Sequence, residues 1–310
     1  MSTLTRRALF GIGLGAAATG AYAAVSNWHA DTYALEVNEV PIQIAGLPSA
    51  FRDYRIAFLS DIHIGTCANL DFIADVARQL SDIQPDLILH GGDFLLRLSS
   101  VLSQATLSLA SFTDCSATTT DNFPEWLQTL VVMFAALAPK DGSYGVLGNH
   151  EGGLGARPCT EVLTTGGIKI LRNESVLLTR GRSYLRLIGL DDYWTGIPRI
   201  PSSVGQRQKD EVRIVLAHNP DSFTALLGSS EFDFDLGLAG HTHGGQIQLP
   251  GLGGAFYNVA DARFRDGLWK GQSSSGAMRS VFTTRGIGTV VLPLRVNCPP
   301  EIAIIRLEPT

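Results

Sequence analysis

Five of the seven histidines in this chain fall within one ordered series of short polar motifs. Asp61-Ile62-His63 comes first, followed by Gly92-Asp93 and Gly148-Asn149-His150-Glu151. Ala217-His218-Asn219 and Gly240-His241-Thr242-His243 complete it. Each motif closes an apolar run of strand length, at residues 54–60, 86–90, 143–147, 212–217 and 234–239. Short apolar runs bounded by Gly or Pro read as strands buried on both faces. The series therefore asks for an α/β fold in which neighbouring strands carry Asp, His and Asn to one place.

The rest of the chain fits that frame. Asn69 suits a helix N-cap, and Leu70, Ile73, Ala74, Ala77 and Leu80 are spaced for one helix face. Strand, helix and strand then follow in order, with polar residues gathered at the carboxyl ends. Pro124 opens a predicted helix over 124–138. A short helix is expected to include 161–165, with a short strand at 168–171. The second half reads as strands at 184–189, 246–249, 280–284 and 301–307, besides the two that feed histidine motifs. Residues 33–44 also alternate as a strand. Residues 98–122, rich in Ser, Thr, Ala and Leu, break the rhythm and read as an inserted, lid-like segment.

With 310 residues, 45% of them hydrophobic, the chain can bury a large core in one domain. A net charge of -5 and a pI near 5.8 imply no basic face, which disfavours nucleic acid as the main substrate. Residues 1–30 stand apart from the domain at 31–310. Arg6 and Arg7 precede a Gly- and Ala-rich stretch, and no charged residue occurs from Ala8 to Ala30. This pattern resembles a twin-arginine export signal, with Ala21-Tyr22-Ala23 offering small residues for cleavage. The same run is long enough to be an uncleaved anchor, at about 1.5 Å per helical residue. Export through the twin-arginine translocation machinery is the expectation, giving a periplasmic or outward-facing, membrane-anchored protein. None of Cys67, Cys115, Cys159 and Cys298 forms a C-x-x-C pair, so a structural zinc site is not expected, while disulfides are open.

The motifs supply the donors of two cations. Asp61 and His63, two residues apart, can face one ion as a strand frays into a turn. Asp93 follows two glycines, and its carboxylate can bridge because each oxygen takes one ion. Asn149 offers a neutral carbonyl, and His218, His241 and His243 offer imidazoles. The expected sets are Asp61, His63, Asp93 and His243 for one ion, and Asp93, Asn149, His218 and His241 for the other. Two ions roughly 3.5–4 Å apart would acidify a bridging water and brace an in-line displacement at phosphorus by the resulting hydroxide. His150, not required as a ligand, can then act as general acid or charge stabiliser toward the leaving group. Mixed N and O donors suit Mn, Fe or Zn.

These motifs in this order resemble the calcineurin-like metallophosphoesterase superfamily, whose pattern is D-x-H, G-D, G-N-H-[D/E], H and G-H-x-H. The resemblance covers residues 54–307. It implies a four-layer αββα sandwich with two mixed β-sheets flanked by helices. It also implies a phosphate-ester substrate, two divalent metal ions and roles for Asp61, His63, Asp93, Asn149, His150, His218, His241 and His243. Gly240-His241-Thr242-His243-Gly244-Gly245-Gln246-Ile247, Gly189-Leu190-Asp191-Asp192 and Arg285-Gly286-Ile287-Gly288 look like the exported YkuE/YaeI-type branch. A two-metal phosphodiesterase is the leading expectation. The alternatives are a pyrophosphatase acting on a lipid-linked nucleotide sugar of the UDP-2,3-diacylglucosamine type, and a non-catalytic metal-binding scaffold. The intact ligand set argues against the scaffold.

Several residues stand outside the series. Arg97 and Arg285 are candidates to touch substrate, though a surface role and a turn explain them as simply. His90 reads as a buried histidine before a supporting group, and Asp191 and Asp192 as turn residues before site residues.

Overall fold

The computed structural model describes residues 31–65, 69–96, 123–254 and 257–310. Two six-stranded sheets lie face to face. The first runs in the order β1 (Glu36–Ile44), β14 (Glu301–Pro309), β2 (Arg55–Leu59), β3 (Leu87–His90), β4 (Ser143–Gly145) and β5 (Ile168–Ile170). The second runs β12 (Gly267–Gln272), β13 (Met278–Thr283), β9 (Leu236–Ala239), β8 (Glu211–Ala217), β7 (Ser183–Gly189) and β6 (Glu174–Arg180). Both sheets are mixed. β2 to β5 run parallel in one, β13, β9, β8 and β7 in the other, and antiparallel pairs join β14 to β2, β12 to β13 and β6 to β7.

Strand alternation explains the layers. Along β2, Ile56 and Phe58 face the second sheet, while Ala57 and Leu59 face outward onto helices. β14 does the same with Ala303 and Ile305 inward and Ile302 and Ile304 outward. Between the sheets, Phe58 meets Phe282 of β13 edge to face, with ring centroids 6.4 Å apart. Each fully buried side chain of this size contributes roughly 1.5–3 kcal/mol by leaving water.

Outside the first sheet lie α1 (Leu70–Ile83), α2 (Phe123–Phe134) and α4 (Ala156–Thr165). α1 starts where its cap predicts: the Asn69 side chain accepts the backbone N–H of Phe72 at 3.1 Å. The short α3 (Asn149–Leu154) leads into α4. Outside the second sheet, α5 (Ser222–Gly228) and a 3-10 turn at Ala262–Phe264 cover Ile188, Val215 and Val281 through Phe223, Leu227 and Phe264. The result is the four-layer α/β sandwich expected from the sequence, with a thin fourth layer.

Two expectations need correction. The helix at 124–138 ends at Phe134. The strand at 246–249 shrinks to β10 (Gln248–Leu249), paired with β11 (Gly253–Gly254). Gly244, Gly245 and Gln246 have φ of 58°, 76° and 52°, so no extended strand can begin there. The inserted segment 98–122 and Arg97 lie outside the described residues, as do residues 1–30. Among the described residues no helix is long and apolar enough to cross a membrane.

Candidate metal centre

Every motif residue emerges at the carboxyl end of a parallel strand. Asp61 and His63 follow β2, Asp93 follows β3, and Asn149 and His150 open α3 just beyond β4. His218 follows β8, and His241 and His243 follow β9. The two sheets are tied together here: the backbone N–H of His241 donates to the Asp61 carboxylate at 2.9 Å.

Three clusters of donor atoms result. Asp61, His63 and His243 form one, with His63 Nε2 and His243 Nε2 3.1 Å apart and Asp61 Oδ1 3.4 Å from His243 Nε2. Asp93, His218 and His241 form another. There His218 Nε2 lies 3.2 Å from Asp93 Oδ2, 3.1 Å from His241 Nδ1 and 3.2 Å from Asn149 Oδ1. The third links them: His63, Asp93 and His150, with Asp93 Oδ2 3.7 Å from His63 Nε2 and 3.8 Å from His150 Nε2. All eight residues expected from the sequence thus meet at one place.

The donors suit cations. Nδ1 of His63 lies 3.2 Å from the carbonyl of Leu95, and Nδ1 of His218 lies 2.8 Å from that of Gly91. An N–H on Nδ1 donating to each carbonyl leaves a lone pair on Nε2, aimed inward. Burial, then the neighbouring His150, pushes the His63 imidazole down to about 3. Burial and His218 push His241 down to about 4. Kept neutral, His63 and His241 each have a lone pair to offer a metal ion. At His218 burial acts downward, yet the Asp93 charge and hydrogen bond overcome it and raise the imidazole to about 10. That pair calls for a positive charge beside Asp93, which a cation supplies in place of a proton. The chain therefore carries a dinuclear metal centre for two divalent ions.

Local backbone is shaped to the same end. Asp61, His63, Asp93, His241 and His243 all have positive φ, between 49° and 70°. Such a conformation costs a non-glycine residue about 1–3 kcal/mol and persists where surrounding structure enforces it. Glycines permit the close approach: a Cβ at Gly148 would collide with the Asp93 carboxylate, and one at Gly240 with Ser60 and Asp61. His150 gives its backbone N–H to Asp93 Oδ1 at 3.0 Å, and its ring packs 4.7 Å from that of His63.

Two buried charged residues support the ligands from behind. The fully buried Glu151 accepts the N–H groups of Asp93, Leu95 and Gly148 at 2.9–3.0 Å. Burial and the Asp93 charge push its carboxyl up to about 8, while the Leu95 and Gly148 donors pull it down. Arg295 is fully buried, and its guanidinium donates to the carbonyls of Arg285, Gly288, His243 and Cys298 behind His243.

Residues outside the motifs take structural places. The Arg285 guanidinium is held by Glu36 at 2.7 Å and Glu301 at 3.2 Å. His90 is buried between Phe94 and Phe134, with Nε2 3.0 Å from Ser143 Oγ. Asp191 and Asp192 brace the loop after β7 through its backbone N–H groups. Cys159 and Cys298 are buried and free, and Cys67 and Cys115 lie outside the described residues.

Comparison with known proteins agrees with this geometry. Residues 54–245 match the calcineurin-like phosphoesterase family. The phosphodiesterase YaeI of Escherichia coli (strain K12) is 32% identical over 254 residues, 82% of each chain. The metallophosphoesterase YkuE of Bacillus subtilis (strain 168) is 27% identical over 319 residues, spanning the whole of both chains. The chain is a metal-dependent hydrolase able to cleave phosphate esters, and it belongs to the calcineurin-like phosphoesterase family.

Proposed function

We propose that the chain is a phosphodiesterase in which Asp61, His63, Asp93 and His243 hold one divalent ion and Asp93, Asn149, His218 and His241 hold the other. The observation that carries this reading is the position of Asp93, whose Oδ2 lies within 3.2–3.8 Å of His218, His63 and His150 at once. Bound there, the ions would lower the pKa of water and offset negative charge at phosphorus. The protein's part is orientation. The Leu95 and Gly91 carbonyls fix the His63 and His218 tautomers, and Glu151 fixes the Asp93 backbone. His150, with a side chain 13% exposed, is the motif imidazole assigned here to the substrate. Its Nε2–H would donate a proton to the departing alkoxide.

The diester preference is supported by the name and similarity of YaeI. A screen of metal-loaded protein against phosphomonoesters, phosphodiesters and pyrophosphates tests it. The reading expects phosphodiesters to be turned over with the highest kcat/KM. A clear preference for pyrophosphates would overturn it in favour of the nucleotide-sugar alternative, and inactivity on every class would favour the scaffold. The N-terminal residues support an exported protein, delivered by the twin-arginine machinery and periplasmic or anchored facing outward, with residues 31–310 as its one catalytic domain.

A further inference from the structure

Beside the centre, one large side chain is unexplained by metal binding. Trp194, in the loop between β7 and β8, packs against the ring of His241 at 90°, with centroids 4.4 Å apart. It nevertheless stays 52% exposed, and Tyr193 beside it is 46% exposed. A half-exposed indole ordinarily finds cover in the core or a place at an interface. Here it is held out. Asp192 Oδ2 accepts the backbone N–H of Trp194 at 3.0 Å and both the N–H and hydroxyl of Thr195 at 2.7–2.8 Å. Asp191 Oδ2 takes the N–H of Ile197 at 3.1 Å, and Asn173 Oδ1 takes those of Asp191 and Arg199 at 2.9–3.0 Å. The loop also presses on α3, the helix that opens with Asn149 and His150: a Cβ at Gly152 would collide with Thr195. Trp194 is therefore held through its backbone by Asp192 and through its ring by His241, with about half of its surface open.

Asp191 and Asp192 are already engaged. Asp191 is paired with Arg172 at 2.7 Å, and Asp192 with backbone donors. The exposed part of this loop beside His241 is thus aromatic, formed by Tyr193 and Trp194. We propose that Trp194 forms a subsite for an aromatic group carried by the phosphate ester, seated beside His241 while the phosphate faces the metal centre. This inference rests on the phosphoesterase reading and names a substrate class for it. Bound in this way, a planar ring would pack against the exposed part of the indole. Such a contact is worth about 0.5–1.5 kcal/mol beyond the area it buries, or roughly 2- to 12-fold in affinity.

Competition by simple monoesters tests the subsite without assuming which bond is cleaved. Methyl, cyclohexyl and phenyl phosphate are titrated against metal-loaded wild type, Trp194→Phe and Trp194→Ala. Binding is read both as inhibition and as quenching of tryptophan fluorescence. In wild type, phenyl phosphate is expected to bind more tightly than methyl or cyclohexyl phosphate and to quench emission. Trp194→Ala should weaken phenyl phosphate by about 5- to 10-fold, with a much smaller change for methyl phosphate. Trp194→Phe should keep most of the phenyl preference but lose the quenching. Equal affinity of wild type for all three esters would overturn the proposal. So would an equal loss for all three in Trp194→Ala, which would mark Trp194 as a support for His241 only. Cyclohexyl phosphate matching phenyl phosphate would replace aromatic recognition by simple apolar burial and so overturn it as well. If protein holding two metal ions turns over phosphodiesters but binds none of these esters, the subsite fails while the phosphoesterase reading stands. If it is inactive on every class of phosphate ester, that reading fails and the subsite with it.

Discussion

Glu151 accepts the backbone N–H of Asp93 at 3.0 Å from 58 residues further along the chain. The same oxygen also takes the N–H of Gly148, and the other takes that of Leu95. Both carboxylate oxygens are thus acceptors at a fully buried site, and an amide cannot imitate them. Glu151→Gln would aim N–H against N–H. The substitution is expected to cost about 1–3 kcal/mol of stability. It should also weaken metal binding by roughly 10- to 100-fold, the usual effect of losing a group that orients a ligand. Urea unfolding and metal titration check both. A variant with unchanged metal affinity would show that Asp93 is positioned without Glu151.

His150→Ala separates catalysis from metal binding. The clamp on Asp93 Oδ1 uses the His150 backbone N–H, which alanine keeps. Metal content should therefore remain, while kcat on an alkyl ester falls on the order of 10²–10⁴-fold. With nitrophenyl esters the loss should shrink, because that leaving group needs little protonation. Equal losses on both substrates would remove the general-acid role.

Away from the centre, the sheets are joined at the loops that precede β3 and β4. Tyr54 donates to Asp141 at 2.7 Å, and Arg180 of β6 reaches Asp86 at 3.0 Å and Asp141 at 2.8 Å. Burial, then Asp141, raises the Tyr54 phenol far above its ordinary 10.0. A raised folded-state pKa contributes stability that is whole below the unfolded value and lost as pH rises through and beyond it. Stability should therefore fall above pH ~10, by about 1.4 kcal/mol per pH unit for this phenol. Tyr54→Phe should be less stable at neutral pH by about 1 kcal/mol and show a shallower alkaline decline. Parallel declines for variant and wild type in urea unfolding at pH 9 to 11 would contradict this.

The centre was largely legible because metal chemistry limits the residue types and strand ends fix their spacing. Asp61, His63, Asp93, Asn149, His150, His218, His241 and His243 all converge where the motifs predict. How they are supported was less legible, although Glu151 stands in the third motif itself. Glu151 acts through backbone donors 56 and 58 residues away, and a buried arginine satisfied by carbonyls, as Arg295 is, leaves no pattern. Trp194 reads as one more aromatic residue until its exposure beside His241 is seen. Among the elements, β6 and β12 lie at sheet edges, where burial is partial and alternation faint. α3 contains Gly152 and Gly153, which disfavour helix by propensity, and is held instead by its surroundings.

For the N-terminal residues, replacing Arg6 and Arg7 by lysine should leave a longer, unprocessed form in the cytoplasm. Fractionation and mass analysis check it. Export of the variant as efficient as wild type would contradict the twin-arginine reading. In exported wild type, a start at Ala24 would mean a cleaved signal, and an intact start near Met1 an anchor.

The central claim is that one carboxylate, Asp93, serves two ions. Elemental analysis of Asp93→Asn beside wild type, each loaded with manganese and dialysed to equilibrium, tests it most directly. Wild type should hold two ions per chain. The variant should weaken at both positions together, because a neutral amide removes the negative charge that Asp93 Oδ2 presents to both donor sets. A variant that keeps two ions as tightly as wild type would contradict the account.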